Sequence, residues 1–208
     1  MSGANGMVDD CNGILRAAQI LPAIAAAPGF AFDMPDVESN QSKSLRIMLM
    51  HIEISIPEQS LTLFDDEGAQ LNRYAVSTAA NGVGCVKDSG CTPLGSHIVR
   101  AKIGDAAPEN TVFVGRRPTG EIFRPELAAE FPQRDWILTR ILWLSGTEAG
   151  KNRLGNVDTM QRYIYIHGSP DSVEMGTPGS HGCIRMRNAD LIALFDQVPV
   201  GTTVNIHD

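Results

Sequence analysis

Short segments of alternating apolar and polar residues follow one another along most of this chain, and they constrain its fold more than any other feature. Residues 50–56 read Met-His-Ile-Glu-Ile-Ser-Ile, the period of two by which a strand buries one face. Further strands are predicted at residues 61–64, 74–78, 98–103, 112–115, 136–144, 163–167 and 202–206. Turn residues at 65–68 separate the second strand from the third, so the chain predicts a β-meander that opens a mainly β fold.

Two segments favour helix instead. Residues 126–131 predict a short helix, and residues 188–198 predict a longer one with apolar residues on one face. That face is expected to consist of Leu191, Ile192 and Phe195. Asn188 is a residue type that caps helix starts, so we expect its side chain to act there. Residues 104–156 contribute long loops that we expect to wall a cleft.

The first part of the chain differs in composition from the rest. Residues 1–47 are rich in Ala, Gly, Ser, Asn and Pro and are predicted to be a flexible extension, whereas residues 48–208 form the folded domain. Residues 20–27 resemble the apolar part of an export signal, but Asp9 and Asp10 precede them. A signal peptide has the opposite charge balance, so the sequence favours a cytoplasmic location.

Composition excludes several classes of function. The 208 residues contain 17 Lys and Arg against 24 Asp and Glu, a formal charge of −7, and no basic stripe that would bind nucleic acid. No stretch approaches the ~18 consecutive apolar residues of a membrane span. A chain of this length can bury an adequate core without metals or disulfides.

The four cysteines do not form a disulfide scaffold or a CxxC zinc pair. They are Cys11, Cys85, Cys91 and Cys183. Cys85 and Cys91 share a Gly-rich loop and could close a small disulfide, but two loop thiols are the simpler interpretation. A zinc site made of these two thiols and His97 would lack a fourth ligand, so no metal is expected.

Residues 163–183 carry the pattern that points to chemistry. A predicted strand ends at His167, and a loop rich in Gly, Pro and Ser returns sixteen residues later to Cys183. A nucleophilic cysteine needs an imidazole within ~3 Å to take its proton. It also needs backbone N–H groups aimed at the developing oxyanion, and Gly182 allows the tight turn that presents them.

Other interpretations of these residues remain open. An isolated cysteine is usually a small buried apolar residue. A zinc site made of His167, His181 and Cys183 has acceptable ligand types but no helix-borne or CxxC spacing. Because Cys183 lies among polar residues and glycines, with two histidines nearby, the residues favour catalysis.

In these motifs the chain resembles a known family, the L,D-transpeptidase catalytic domain or YkuD family. The matching motifs are His167-Gly168 and Ser180-His181-Gly182-Cys183. Further matching blocks, in the order of the family, are residues 59–64, 74–79 and 92–95. Together they span roughly residues 50–206, which makes the match specific. The resemblance implies a β-sandwich-like catalytic fold with one late helix.

The resemblance also implies roles for individual residues. Cys183 would attack the amide between the L-centre of a diamino acid and a terminal D-residue in a peptidoglycan stem peptide, and form a thioester. His167 would be the general base, oriented through the carbonyl of Gly168. The backbone amides of Gly182 and Cys183, with His181 beside them, would form the oxyanion hole. No cofactor is implied.

Ser180 and Arg185 are the predicted substrate-binding residues. A planar guanidinium two residues after the nucleophile suits bidentate capture of the donor carboxylate, although a surface salt bridge is the alternative interpretation. Many members of the family have Asn where this chain has Arg185. Its segments 114–120 and 135–140 resemble short members without export signals, which look like carboxypeptidases of peptidoglycan recycling.

These implications leave three functions to separate. The first is an L,D-transpeptidase, which joins the acyl group to an amine and cross-links peptidoglycan. The second is a cytoplasmic L,D-carboxypeptidase, which hydrolyses the same thioester. The third is a non-catalytic module that binds peptidoglycan peptides, which would not need a nucleophile and a base together. The expected partners are tetrapeptide stems or muropeptides, and cross-linking members of the family work in the cell envelope.

Overall fold

The computed structural model describes residues 50–208, and the predicted extension 1–47 lies outside them. Its ten strands are β1 (His51–Ser55), β2 (Ser60–Phe64), β3 (Gln70–Ala75), β4 (Gly95–Ile103), β5 (Thr111–Val114), β6 (Arg117–Ile122), β7 (Ile137–Gly146), β8 (Tyr165–Gly168), β9 (Ile184–Met186) and β10 (Thr203–His207). Its α-helices are α1 (Pro125–Glu130) and α2 (Asn188–Gln197), and a short 3-10 helix spans Gly155–Val157. The prediction of a mainly β fold with one late helix is confirmed.

One sheet of ten strands organises the described part of the chain. The strand order is β3-β2-β1-β10-β4-β7-β5-β6, with β8 paired to β7 and β9 paired to β8. Most neighbours are antiparallel, and short turns join the pairs β1–β2, β2–β3 and β5–β6, but β1–β10 and β8–β9 are parallel. The β8–β9 pair is joined by the long loop that contains residues 169–183, so this loop must cross from the end of one strand to the start of the next.

A single large core lies between the two ends of the sheet and α2. The alternating pattern of β1 buries Ile52 and Ile54, and the paired strand β2 buries Leu61 and Leu63. The same core contains Ile166, Ile184 and Met186 from β8 and β9, and Leu191, Leu194 and Phe195 from α2. Strands from both ends therefore bury residues together, which requires the sheet to curl.

Helix α2 is held at its C-terminal end by another element, and its N-terminal end differs from the prediction. At its C-terminal end, Lys102 of β4 donates to the carbonyl groups of Phe195 and Val198 at 2.5 and 2.8 Å. A cation there satisfies carbonyls that have no partner within the helix and lies at the negative end of the helix dipole. At the other end, the prediction that Asn188 caps the helix is wrong. Arg187 holds the capping position, and Asn188 is the first helical residue.

Several predicted boundaries need correction. The third strand begins earlier and ends at Ala75, because Ser77 forms only an isolated bridge to Arg185. Strands β6 and β9 were not predicted at all. On α2, Leu194 takes the buried position expected for Ile192, which is only half-buried. None of the helices in residues 50–208 has the length and apolarity needed to cross a membrane.

Candidate active site

Strands β8 and β9 bring the predicted nucleophile and base to one face of the sheet. They pair in parallel with His167 opposite Arg185, and the backbone N–H of Tyr165 lies 3.4 Å from Cys183 Sγ. Side chains alternate between faces along a strand, and residues in register share a face. The intervening residues Ile166 and Ile184 are buried in the core on the opposite face. Tyr165, His167, Cys183 and Arg185 therefore point to the same side.

His167 is fully buried and oriented by its own strand end. Its Nδ1 donates to the carbonyl oxygen of Gly168 at 2.8 Å, which leaves Nε2 as the unprotonated nitrogen. That Nε2 is buried and has no hydrogen-bond partner in residues 50–208. Burial lowers the pKa of His167 to about 4, and the bond to Gly168 and the charge of Asp135 offset only part of this effect. The ring is neutral at neutral pH, with a free lone pair on Nε2.

Cys183 is held as a neutral thiol at the start of β9. Its Sγ donates to the carbonyl oxygen of Tyr163 and accepts from the N–H of Tyr165, both at 3.4 Å. Burial raises the pKa of this thiol to about 12, although the Tyr165 N–H lowers it in part. The described residues contain no hydrogen bond between Cys183 Sγ and His167 Nε2. The structure thus has a thiol and an imidazole on one face, without an ion pair.

The separation of the two residues still allows a proton transfer. With strands about 4.8 Å apart and a rise of about 3.3 Å per residue, residues two positions apart on neighbouring strands have Cα atoms about 8 Å apart. The side chains of a cysteine and a histidine can span that gap when they turn toward each other. Such an approach requires Cys183 Sγ to leave the Tyr163 carbonyl oxygen, to which it donates at 3.4 Å.

The loop before Cys183 is held in shape by its own hydrogen bonds. Ser180 donates to the Cys183 carbonyl at 2.6 Å, and its Oγ accepts from the Gly182 N–H at 3.2 Å. Gly182 has a φ of +131°, and a Cβ there would lie 3.3 Å from the Cys91 carbonyl oxygen. Thr92 donates to the Gly182 carbonyl at 3.0 Å. Glycine is therefore required at position 182 both by its backbone angle and by the approach of the neighbouring loop.

Three predicted site residues have hydrogen-bond partners or exposures that the sequence does not predict. Ser180 is 2% exposed, and its hydroxyl is used within the loop instead of facing a substrate. The Gly182 N–H, predicted to bind the oxyanion, already donates to Ser180. His181 has a side chain that is 82% exposed, with Nδ1 3.7 Å from Asp135 Oδ2. The loop lies where the sequence predicted it, but one of the two predicted oxyanion donors, the Gly182 N–H, already has a partner.

Arg185 is paired with an acidic residue from a distant part of the chain. Its guanidinium donates to Asp135 Oδ1 at 2.7 Å and to the Gly179 carbonyl at 2.9 Å, and its side chain is only 13% exposed. Burial pushes the pKa of Asp135 upward, but the charges of Arg185, His167 and His181 outweigh it, and the pKa lies below its ordinary value. The predicted carboxylate anchor therefore already holds an internal carboxylate.

A cleft of about 520 Å³ opens beside the thiol. Its lining includes Cys183, His181, Tyr163, Asp135, Arg116 and Arg162. Arg162 donates to the carbonyls of Gly84 and Cys91 at 3.1 and 2.6 Å, which ties the cleft to the loop that carries Cys85 and Cys91. The cleft is lined by two arginines and by the rings of two tyrosines, Tyr163 and Tyr165.

The structure also gives the positions and partners of the residues considered as zinc ligands. Cys85 and Cys91 are free thiols. His97 is buried, with Nδ1 2.8 Å from the Gly95 carbonyl oxygen and Nε2 3.1 Å from Thr159 Oγ1, so both ring nitrogens have partners within the fold. Residues 50–208 include no group of three or more His, Cys, Asp or Glu that could hold a metal ion.

Sequence reasoning missed three residues of this cleft. Arg116 and Asp135 lie in segments that the sequence marks only by their resemblance to short family members, and no sequence motif includes Arg162. All three reach the cleft from loops or turns, and Arg116 and Asp135 lie far from Cys183 in sequence. No local spacing predicts such an approach, because it depends on how the sheet curls. The local signal that the three share is a charged residue directly beside a glycine or an aromatic residue.

The fold and site place the chain among mainly β proteins that carry a cysteine and a histidine on adjoining strands. The model of the L,D-transpeptidase catalytic domain family, YkuD, matches residues 50–206, and the chain belongs to this family. Among curated proteins, "Probable L,D-transpeptidase YbiS" of Escherichia coli is 47% identical over 47 residues, and "Probable L,D-transpeptidase ErfK/SrfK" of Salmonella typhimurium is 51% identical over 47 residues. Each alignment covers 23% of this chain and 15% of the relative.

Solved structures include similar chains at low sequence identity. An L,D-transpeptidase from Mycobacterium smegmatis is 20% identical, with a TM-score of 0.46. The alignment covers 77% of this chain and 59% of that one.

Proposed function

We propose that this chain is a cysteine-dependent acyl-transfer enzyme that acts on peptidoglycan stem peptides, with Cys183 as nucleophile and His167 as base. The observation that carries the proposal is the position of these two residues on one face of the β8–β9 pair, beside a cleft of about 520 Å³. The buried imidazole of His167 uses Nδ1 to bond the Gly168 carbonyl, while its Nε2 has no partner within residues 50–208 and is unprotonated, as a general base requires.

The reaction begins from the neutral pair. Cys183 turns from the Tyr163 carbonyl, and as its Sγ attacks the carbonyl carbon of the donor amide, the thiol proton passes to His167 Nε2. The bond between that carbon and the amide nitrogen then breaks, and His167 returns the proton to the departing amine of the D-amino acid. The product is a thioester on Cys183, and both side chains are neutral again.

An oxyanion forms during this step and needs donors. We propose the N–H groups of Gly182 and Cys183, with His181 beside them. The bond from Gly182 to Ser180 is long at 3.2 Å, so the developing charge can compete with it. Ser180, which also donates to the Cys183 carbonyl, would position the loop instead of contacting the substrate. Arg185 would act in substrate binding only by sharing or exchanging its partner Asp135.

The group that attacks the thioester in the second step decides whether the enzyme is a transpeptidase or a carboxypeptidase. An incoming amine attacks the thioester carbon and gives a proton to His167 Nε2. The bond between that carbon and Cys183 Sγ then breaks, and His167 returns the proton to the sulfur, which leaves a new amide and the free thiol, the transpeptidase outcome. Water in the same place gives a carboxypeptidase. One observation favours water as the second candidate: Cys183 is half-buried and the neighbouring His181 side chain is 82% exposed, so the cleft is open to solvent there.

Incubation of the protein with a disaccharide-tetrapeptide, with and without an acceptor amine, tests the proposal by mass spectrometry. We expect loss of the terminal D-amino acid, with a cross-linked product when the amine is present. Tripeptide in both reactions would identify the carboxypeptidase. Binding without any product would identify the non-catalytic module.

A matched pair of variants tests the nucleophile. Cys183→Ala should reduce product to background, a loss of at least about a thousandfold, because an alanine has no atom that can form the thioester. Cys85→Ala removes a thiol outside the cleft and should retain activity. Circular dichroism should show that both variants are folded. Activity that survives in Cys183→Ala would contradict the assignment.

A further inference from the structure

Arg116 is an arginine held in an unfavourable backbone conformation beside the cleft. It is the second residue of the two-residue turn between β5 and β6, and Gly115 and Arg116 have φ angles of +54° and +66°. Such turns usually carry Asn or Gly, because a large side chain at positive φ is strained. Strain of this kind persists where the residue has a function that a favourable residue cannot supply.

Three aromatic side chains fix the guanidinium of Arg116. It lies 4.4 Å from the centre of the Trp143 ring and 4.8 Å from that of Tyr163, and its Nη1 donates to the Tyr165 hydroxyl at 3.0 Å. Stacking leaves the edge of a guanidinium free to donate hydrogen bonds in its own plane. The head group is therefore positioned in advance, which reduces the entropy lost when it binds a ligand.

Arg116 also has no acidic partner, in contrast to Arg185. Within residues 50–208 it forms no ion pair, although it lines the cleft with Cys183. Arg185 was the expected anchor for a donor carboxylate, but Asp135 already occupies it at 2.7 Å. A second cleft of about 530 Å³ lies on the other side of Arg116 and Tyr163, so this arginine stands between two spaces that a peptide could occupy.

We propose that Arg116 is a specificity-determining residue that binds a carboxylate of the donor peptide. This inference rests on the proposed function. The planar fork of the guanidinium accommodates a carboxylate through two parallel hydrogen bonds. A stem peptide offers two candidates near the scissile amide: the carboxylate of the terminal D-residue and the distal carboxylate of the diamino acid. Either one would meet Arg116 at the cleft wall.

Peptide binding to the full chain carrying Cys183→Ala tests this without turnover. Three synthetic tetrapeptides are compared by calorimetry: the free acid, the peptide amidated at the terminal D-residue, and the peptide amidated at the distal carboxylate. Adding Arg116→Gln should weaken binding of the free acid by about 10- to 100-fold. It should have no effect on the amidated peptide that lacks the relevant carboxylate, and this identifies which carboxylate is bound. Arg116→Lys should recover part of the affinity.

Arg117→Gln is the matched control, because it removes the same charge from the adjacent position, which lies outside the cleft lining. It should change affinity less than twofold.

Equal losses for all three peptides, no loss with Arg116→Gln, or no binding to the Cys183→Ala protein would overturn the inference. If Arg116→Gln lowers the thermal unfolding midpoint, Arg116→Lys carries the same comparison. Binding that depends on Arg116, together with no turnover of the same peptides by the protein that retains Cys183, would refute the proposed reaction alone. Turnover that is indifferent to Arg116→Gln would refute only this inference.

Discussion

At the scale of single residues, burial decides the protonation of the candidate catalytic pair. The pKa of Cys183 is raised to about 12 and that of His167 is lowered to about 4. Both shifts favour the neutral forms, so the resting site holds a thiol and an imidazole. This differs from a pair that is ionised before the substrate arrives. In the proposed reaction the proton would therefore move during the attack itself, from the thiol of Cys183 to Nε2 of His167.

Alkylation of Cys183 by iodoacetamide should therefore be slow at neutral pH. In a protein carrying Cys85→Ser and Cys91→Ser, we expect a rate at pH 7 about 100-fold below that of an ordinary cysteine, because so little thiolate is present. The rate should rise steadily above pH 9. Peptide mass spectrometry measures labelling at Cys183 and separates it from labelling at Cys11. A reactive plateau that begins below pH 6 would reveal a resting ion pair and contradict the prediction.

The predictability of the site also differs from residue to residue. The sequence points to Cys183 and His167 because a strand end and a glycine-flanked cysteine lie within one short segment. Asp135 and Arg116 enter the cleft from turns that only the curled sheet brings near β9. The pairing of Arg185 with Asp135 could not be predicted either, since fifty residues separate the two. Local patterns reveal local chemistry, and the charges around it depend on tertiary structure.

At the scale of elements, the strands that sequence reasoning missed have identifiable reasons. Strand β6 contains Pro118 and Gly120, which are unfavourable in strands, but β6 is the last strand of the sheet and its outer edge needs no partner. Strand β9 has three residues, too few to show a period of two. Long alternating segments such as β1 and the buried run of β7 were predictable, because their apolar residues face the core whatever their neighbours are.

Asn188, the first residue of α2, bonds side chains of other elements instead of capping the helix. Its side-chain oxygen accepts from the Thr139 hydroxyl, and its amide donates to Asn110, both at 2.8 Å. Thr139 lies at an irregularity in β7 with a φ of +68°, close to where β7 pairs with Gly168. The buried asparagine thus joins α2 to β7, the strand that pairs with His167-bearing β8, and capping statistics cannot predict this contact.

Replacing this asparagine should destabilise the fold more than the loss of a cap would. Asn188→Ala leaves the Thr139 hydroxyl and the Asn110 side chain without their partner, and we expect the free energy of unfolding to fall by about 2–3 kcal/mol. Urea denaturation measures it. Gln197→Ala at the exposed end of α2 is the control and should cost less than about 0.5 kcal/mol. Equal effects from the two substitutions would mean that the network around Asn188 contributes nothing.

At the scale of the whole molecule, two buried histidines couple folding to pH. His97 and His167 are almost completely inaccessible, and burial lowers the pKa of each to about 4. They lie in separate places, His97 on β4 and His167 on β8, so their effects should be nearly additive. An exposed histidine in the unfolded chain has a pKa of about 6.5, and each buried ring has a pKa of about 4 in the folded chain. At a pH between these two values, each ring loses its proton when the chain folds.

The free energy of unfolding should consequently fall as the pH drops from about 6.5 to about 4. In that window the unfolded chain binds a proton on each ring that the folded chain excludes, so acid favours unfolding, by on the order of 2–3 kcal/mol for each histidine. Above about pH 7 both states carry neutral rings and the dependence disappears. Urea denaturation of the full chain across this range measures the slope. His97→Gln should remove about half of it, whereas His181→Gln, which changes an exposed ring, should leave it intact. An unaltered slope in His97→Gln would show that His97 is protonated equally in both states, and that the acid sensitivity of the fold arises elsewhere.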